Sequence, residues 1–154
     1  MAEQQNNLWE KCCDGRVEEV REALAAGADP NTRGGYSNNT STCLMEAASG
    51  NTQWHSGVVE LLLSTQGIQV NAKDEYGSTA LHEACASGSL ASLALIVKSP
   101  GVLLNERNNN GNTPIMSAIL ARQTQAVLQM AAVPDVCLDV RDDQGRSLEE
   151  IANM

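Results

Sequence analysis

The sequence contains no phenylalanine, and its few tryptophan and tyrosine residues bring the aromatic content to only 3% of 154 residues. A core without large rings must be filled by leucine, isoleucine, valine, alanine and methionine, which favours closely spaced helices. Apolar residues make up 42% and charged residues 19% of the chain, a composition typical of globular rather than disordered proteins. We therefore expect a single folded domain spanning residues 1–154.

Basic residues are scarce, because 10 lysines and arginines stand against 19 aspartates and glutamates, for a net charge of -9. This charge disfavours binding to nucleic acid phosphates and to anionic membranes. The sequence also lacks the run of about 18 apolar residues that could span a membrane, and residues 1–7 are polar with no signal peptide pattern. We therefore expect a cytoplasmic or nuclear protein that binds neither nucleic acid nor membrane.

Signals of catalysis and metal binding are missing as well. The five cysteines are dispersed without CxxC spacing, as expected for reduced thiols: Cys12, Cys13, Cys43, Cys85 and Cys137. Only His55 and His82 could act as an imidazole base, and no glycine-rich phosphate loop is present. The segment 82–85 offers too few ligands for a tetrahedral metal site. We expect a protein that is not an enzyme and uses no cofactor.

A repeat of 34 residues runs through the second half of the chain. Thr79, Thr113 and Ser147 are separated by this interval. Two further sets keep the same interval: Asn71, Asn105 and Asp139, and Lys73, Arg107 and Arg141. The period continues upstream with two insertions, predicted to be loops, within 34–41 and 52–57. A fixed period of this length is typical of proteins whose structural units stack in a row.

One unit of the repeat predicts two helices joined by a turn. Gly77 suits a turn that needs positive φ, Thr79 can cap a helix, and apolar residues within 81–85 follow helical spacing. Gly88 interrupts the pattern, and a second helical pattern covers 90–97. Helices under about 12 residues are unstable alone in water, so the units must be stabilised by stacking.

Residues 74–88, DEYGSTALHEACASG, closely resemble the opening of an ankyrin repeat, D-x-x-G-x-T-P-L-H-x-A-A-x-x-G. Segments 58–63 and 27–31 are similar to the second helix of that family and to its run into the hairpin, so the resemblance covers about residues 8–152. It implies an all-α solenoid of stacked helix-turn-helix units with hairpin fingers. The implied repeats are approximately 8–33, 34–73, 74–107, 108–141 and a partial unit at 142–154.

The chain departs from the family pattern in its later units. Proline is favoured at the positions of Ala80 and Leu148, glycine at Arg122, histidine at Met116 and leucine at Glu149. The last unit stops in its first helix. It is either a polar cap, made soluble by acidic residues, or a boundary inside a longer protein, and the sequence leaves both readings open.

The resemblance implies a protein or peptide partner, bound in a concave groove lined by the fingers and the first helices. The protein would then be a monomeric adaptor or inhibitor, and the alternative is a structural scaffold segment of a longer multidomain protein. The implied partner-binding residues are Arg33, Tyr36, Lys73, Glu75, Tyr76, Ser78, Ser87, Arg107, Asn109, Asn110, Asn112 and Leu120.

Three features leave alternatives open. The basic residues Arg33, Lys73, Arg107 and Arg141 occupy one repeat position, so they form a row that attracts an acidic peptide or is neutralised by nearby Asp74 and Asp142.

The inserted loop 34–41 is expected either to carry recognition, with Tyr36 as its anchor, or to be a tolerated polar loop. In the second insertion, Trp54 and His55 are either exposed contacts or a cover over the apolar second helices.

Overall fold

The computed structural model describes residues 2–35 and 40–154. Within these ranges it contains nine α-helices and one two-stranded hairpin, which agrees with the all-α solenoid expected. The helices are α1 (Ala2–Cys13), α2 (Val17–Ala25), α3 (Cys43–Ser49), α4 (Gln53–Leu63), α5 (Ala80–Ser87), α6 (Leu90–Val97), α7 (Pro114–Leu120), α8 (Thr124–Ala131) and α9 (Leu148–Ala152). The strands are β1 (Arg33–Gly34) and β2 (Ser41–Thr42), paired antiparallel.

The helices stack in two rows. The first row contains α1, α3, α5, α7 and α9, each in contact with the next, and the second row contains α2, α4, α6 and α8 in the same manner. Each second-row helix also packs on the first-row helix that precedes it. Short helices of this kind owe their stability to their neighbours. In the part of the chain that the structure describes, no helix is long and apolar enough to cross a membrane.

The first-row helices after α1 begin at a threonine or serine with extended backbone. Thr79, as the sequence predicts, holds the N-cap position of α5 with φ -105° and ψ 171°. The Thr42 hydroxyl accepts the Met45 N–H at 3.2 Å. Ser147 and Glu150 exchange two bonds, because the Glu150 carboxylate accepts the Ser147 N–H at 2.7 Å and the Ser147 hydroxyl accepts the Glu150 N–H at 3.3 Å. These side chains satisfy amides that have no partner inside the helix.

The ends of α5 and α7 use the same left-handed backbone with different residues. Gly88 ends α5 with φ +70°. Arg122 lies 34 residues later, just beyond α7, and has φ +57°, the one positive φ of a non-glycine residue in the described ranges. Arginine stands where the family pattern favours glycine, and the backbone nevertheless takes the conformation that suits glycine.

The core is formed by medium and small aliphatic side chains, methionine and cysteine, as the composition predicts. Alanines buried on α3 and α5, among them Ala47, Ala48 and Ala84, allow the first-row helices to approach closely. The largest fully buried side chains include Leu8, Leu44, Met45, Leu62, Leu81, Leu93, Ile96, Ile115, Met116 and Met130. His82 is also fully buried and lies among them.

The segments that lead into α3, α5, α7 and α9 form the fingers, which comprise residues 32–35 with 40–42, 73–78, 107–112 and 141–146. In the second finger, the Asp74 carboxylate accepts the N–H groups of Tyr76 and Ser78 at 2.9 and 2.8 Å. Gly77 completes this turn with φ +71°, which confirms the predicted positive φ. Asn108 and Asp142 accept the equivalent amides in the third and fourth fingers.

Candidate functional site

Successive repeats are joined by asparagine side chains at one repeat position. The Asn31 amide donates to the Gly67 carbonyl at 2.9 Å, and its oxygen accepts the Gln69 N–H at 2.8 Å. Asn71 and Asn105 make the same pair of bonds to the following repeat, at 2.7 to 2.9 Å. Each amide thus satisfies two backbone groups of the next repeat and fixes its position.

The first two residues of the predicted basic row connect neighbouring fingers. Arg33 donates to the Lys73 carbonyl at 2.9 Å, and Lys73 donates to the Arg107 carbonyl at 3.1 Å. Lys73 also pairs with Glu106 at 3.2 Å, whereas the sequence suggested Asp74 as its partner. These cations therefore hold the fingers in register and are engaged before any partner arrives.

The last two residues of the row bind within their own fingers. Arg107 and Arg141 each donate to the carbonyl of the glycine four residues further on, at 2.8 and 2.7 Å. Arg141 also lies 3.4 Å from the Glu150 carboxylate. Asp142, the partner suggested by the sequence, pairs instead with Arg146 at 2.6 Å. Lys73 and Arg141 thus pair with glutamates rather than with the two aspartates expected, whereas Arg33 and Arg107 bind carbonyl oxygens.

Most residues of the candidate partner-binding set are exposed. Tyr36 lies outside the residues that the structure describes. The exposed members are Arg33, Lys73, Glu75, Tyr76, Arg107, Asn109, Asn110 and Leu120.

Three members of the candidate partner-binding set are buried or half-buried within the fold. Ser78 and Asn112 are only 8% and 9% exposed, because their segments fold beneath the finger tips. The Asn112 carbonyl accepts a hydrogen bond from His82 Nε2 at 3.0 Å. Ser87 is half-buried, and its hydroxyl donates to the Glu83 carbonyl at 2.8 Å. The side chains of Ser78 and Asn112 therefore offer little surface to a partner.

The tip of the second finger is held by the third. Asn109 donates its backbone N–H to the Tyr76 carbonyl at 2.9 Å and its side-chain amide to the Glu75 carbonyl at 2.9 Å. The Tyr76 ring remains 66% exposed. A large aromatic side chain on a braced backbone is suited to contact another protein, since little motion is lost on binding.

Three carboxylates lie close together near this finger, and the sequence did not single them out. Glu83 on α5 is half-buried, and its side chain forms no hydrogen bond or ion pair within residues 2–35 and 40–154. Burial, together with the nearby charges of Asp74 and Glu46, raises the pKa of Glu83 above its ordinary value. Glu46 accepts a bond from Ser41 at 2.7 Å. The group is a region of uncompensated negative charge on the first row.

The second insertion was predicted to be a loop, but its residues 53–57 form the start of α4, where one residue is exposed and the next is an anchor. Trp54 is 60% exposed, so it does not form a cover over the second row. His55 is half-buried, and its ring bonds to the Cys13 carbonyl at 2.8 Å and to the Thr52 hydroxyl at 2.6 Å. His55 thus anchors the start of α4 to the first repeat.

His82, Cys13 and Cys85 are held within the fold. His82 Nδ1 accepts the Thr79 N–H at 3.2 Å while its Nε2 donates to the next finger, and burial lowers its pKa. Burial raises the pKa of Cys13 and of Cys85 to about 12, so both thiols are protonated at neutral pH. Among the described residues, no group of three His, Cys, Asp or Glu side chains could hold a metal ion.

Comparison with protein families matches residues 8–105 to a family described as ankyrin repeats, in three copies. The match covers more than half of the chain and includes the first three helix pairs. Beyond it, α7, α8 and α9 continue the same stacking, and the third and fourth fingers keep the same turn.

Proposed function

Because this chain belongs to the ankyrin repeat family, whose repeats are protein–protein interaction modules, we propose that it is an adaptor or inhibitor that binds one protein partner through its fingers and first-row helices. The proposed surface, here called the finger surface, contains Arg33, Lys73, Glu75, Tyr76, Glu83, Ser87, Arg107, Asn109, Asn110 and Leu120, with Tyr36 included on sequence grounds. Ser78 and Asn112 support this surface from below.

The observation that carries the proposal is the exposed Tyr76 beside an unpaired carboxylate. Tyr76 lies on the same finger as Asp74, and the Asp74 charge acts on the nearby carboxylate of Glu83. A half-buried carboxylate without a cation costs free energy, and a basic side chain from a partner would recover it. The basic row is already bonded to carbonyl groups, so it is a weaker attraction for an acidic peptide. The partner segment that fits best is basic, with an apolar residue placed against Tyr76.

Affinity capture from cell extract tests this proposal with the variant Tyr76→Ala plus Glu83→Gln. We expect the wild-type chain to recover a partner, and the double variant to lose at least about tenfold in recovery, as removal of one anchor and one charge contact predicts. Recovery should also fall as salt is raised, because the contact with Glu83 is electrostatic.

Trp54→Ala is the matched control, since Trp54 is about as exposed as Tyr76 but lies away from the fingers, in the first turn of α4. Glu83→Gln should not weaken the fold, because the raised pKa means that the charged carboxylate is disfavoured in the folded state. Equal recovery with the double variant and the wild type would contradict the finger surface. Loss with Trp54→Ala alone would move the binding site to the other insertion.

A further inference from the structure

A second candidate surface lies beyond the finger surface, at the turn between α7 and α8. A cavity of about 330 Å³ opens there, lined by Ile119, Arg122, Gln123, Thr124, Val127 and Ala152. It is formed by the turn that joins the two helices of one repeat and by the end of α9. None of the finger residues lines it.

Arg122 carries an unsatisfied charge at the mouth of this cavity. The side chain is exposed and forms no hydrogen bond or ion pair with any residue in 2–35 or 40–154. Of the other lysines and arginines, all in the described part of the chain, only Lys98 shares this state, and it does not line the cavity. The protein thus presents an unpaired guanidinium on an otherwise acidic surface.

The backbone conformation at Arg122 is a second indication that this arginine serves a role outside the fold. Its φ of +57° is a conformation that disfavours every side chain, and Gly88 fills the same position one repeat earlier. An arginine here strains the backbone, while its side chain forms no hydrogen bond or ion pair with the described residues. Strained residues of this kind concentrate where a side chain has a task outside the fold.

The remaining walls define what would bind. Ile119, Val127 and Ala152 give the cavity apolar sides. Gln123 is the N-cap of α8 and forms no side-chain cap bond, so the positive end of that helix adds to the charge of Arg122. The cavity combines an apolar interior with a cationic mouth.

We propose that this cavity binds an acidic segment of a partner protein, with an apolar side chain between Ile119 and Val127 and the neighbouring carboxylate on Arg122. Charge complementarity selects this occupant, because a guanidinium pairs with a carboxylate through two parallel hydrogen bonds. The site is independent of the finger surface, which favours a basic segment.

NMR titration with two capped peptides tests the site: acetyl-Ser-Gly-Leu-Glu-Gly-Ser-amide and its counterpart with glutamine for glutamate. We expect the glutamate peptide to shift the backbone amide signals of Thr124 and Val127, with at least about fivefold weaker binding of the glutamine peptide. Arg122→Gly should lose the same factor. Since glycine is favoured at this φ, Arg122→Gly should melt at a higher temperature than the wild type, which separates lost binding from lost folding.

Two further variants complete the test. Arg122→Lys should retain part of the affinity, because it keeps the charge but not the paired geometry. The Tyr76→Ala plus Glu83→Gln variant should bind the peptide as the wild type does, whatever the outcome at the finger surface. Equal shifts with both peptides, unchanged binding by Arg122→Gly, or loss in the finger variant would each overturn the site.

Discussion

The predicted third and fourth repeats, 74–107 and 108–141, share the backbone conformation of the finger turn. They differ in the hydrogen bonds of one side chain on the first-row helix. Their fingers turn at Gly77 and Gly111, with φ of +71° and +74°. In the third repeat, His82 Nε2 reaches forward to the next finger at 3.0 Å. In the fourth, Met116 occupies that position, and its sulfur only accepts the Thr113 N–H at 3.4 Å.

The difference shows which features the solenoid requires and which it tolerates. Both repeats keep the left-handed glycine and the capping threonine, since glycine adopts positive φ without strain and threonine satisfies amides at the start of the helix. The forward bond of the histidine is optional, since sulfur is a weak acceptor and cannot donate. The fourth repeat therefore stacks mainly through apolar packing, without the polar connection that the third repeat has.

The largest effect is expected from Gly77→Val, which should disrupt the finger turn that the third repeat shares with the fourth. A Cβ at this position would lie 2.5 Å from the Asn109 side-chain oxygen and 3.0 Å from its backbone nitrogen. Together with the left-handed φ, this crowding should lower the free energy of unfolding by about 2 kcal/mol or more, measured by urea denaturation.

Gly145→Val is the matched control for that prediction. Gly145 lies at the same repeat position with φ +77°, but an added Cβ would meet nothing within 4 Å. It should lose only the conformational part, about 1 to 2 kcal/mol. If both variants lost the same amount, the contact between the second and third fingers would be unimportant.

His82→Met should make the third repeat like the fourth and cost about 1 to 1.5 kcal/mol, because the Asn112 carbonyl loses one of its two donors and keeps only the Asn108 N–H. The same variant should change the dependence of stability on pH. Burial lowers the pKa of His82, so between about pH 6.5 and this lower pKa the unfolded chain binds more protons than the folded one. The wild type should therefore lose stability as pH falls below about 6.5.

Thermal denaturation of wild type and His82→Met across pH 7.5 to 5 measures both effects. The gap between their melting temperatures should narrow as pH falls, since acid removes the advantage of the histidine. A constant gap would mean that His82 is not neutral in the folded state or does not titrate in this range.

The smallest effect is expected from Met116→His, the reverse exchange. A neutral histidine in the fourth repeat would accept the Thr113 N–H better than sulfur does and would have a donor directed toward the next finger, so we expect a gain of about 1 kcal/mol. Calorimetry at pH 7.5 measures it. A loss instead would indicate that the fourth repeat cannot accommodate the ring beside its neighbours.

Local features of the fold were predictable from sequence because the repeat displays them several times. The capping role of Thr79 and the positive φ of Gly77 follow from residue type and spacing alone. The strained position of Arg122 was detectable as a departure from the family pattern. Its lack of a partner was not, because pairing depends on residues brought together only by folding.

The candidate site was less accessible for the same reason. Glu83 lies 37 residues from Glu46 in the chain, and only the stacking of α5 on α3 brings their charges together. The basic row was visible as a pattern, but its bonds go to carbonyl groups, which every residue carries and no sequence distinguishes. Trp54 could be identified in the sequence as a candidate contact. Its exposure could not be predicted, because it depends on how the start of α4 lies against Gly15.

The forward bonds of Arg33 and Lys73 give the solenoid a direction. The first three fingers are connected in series by these cations, while Arg107 and Arg141 bind within their own fingers, and Arg141 also binds Glu150 on the helix that follows. Under a force that pulls the two ends apart, the fingers near the amino end should separate less readily than those near the carboxyl end. We expect the repeats to unfold one at a time from the carboxyl end, so that the early fingers keep their shape while the later ones open transiently.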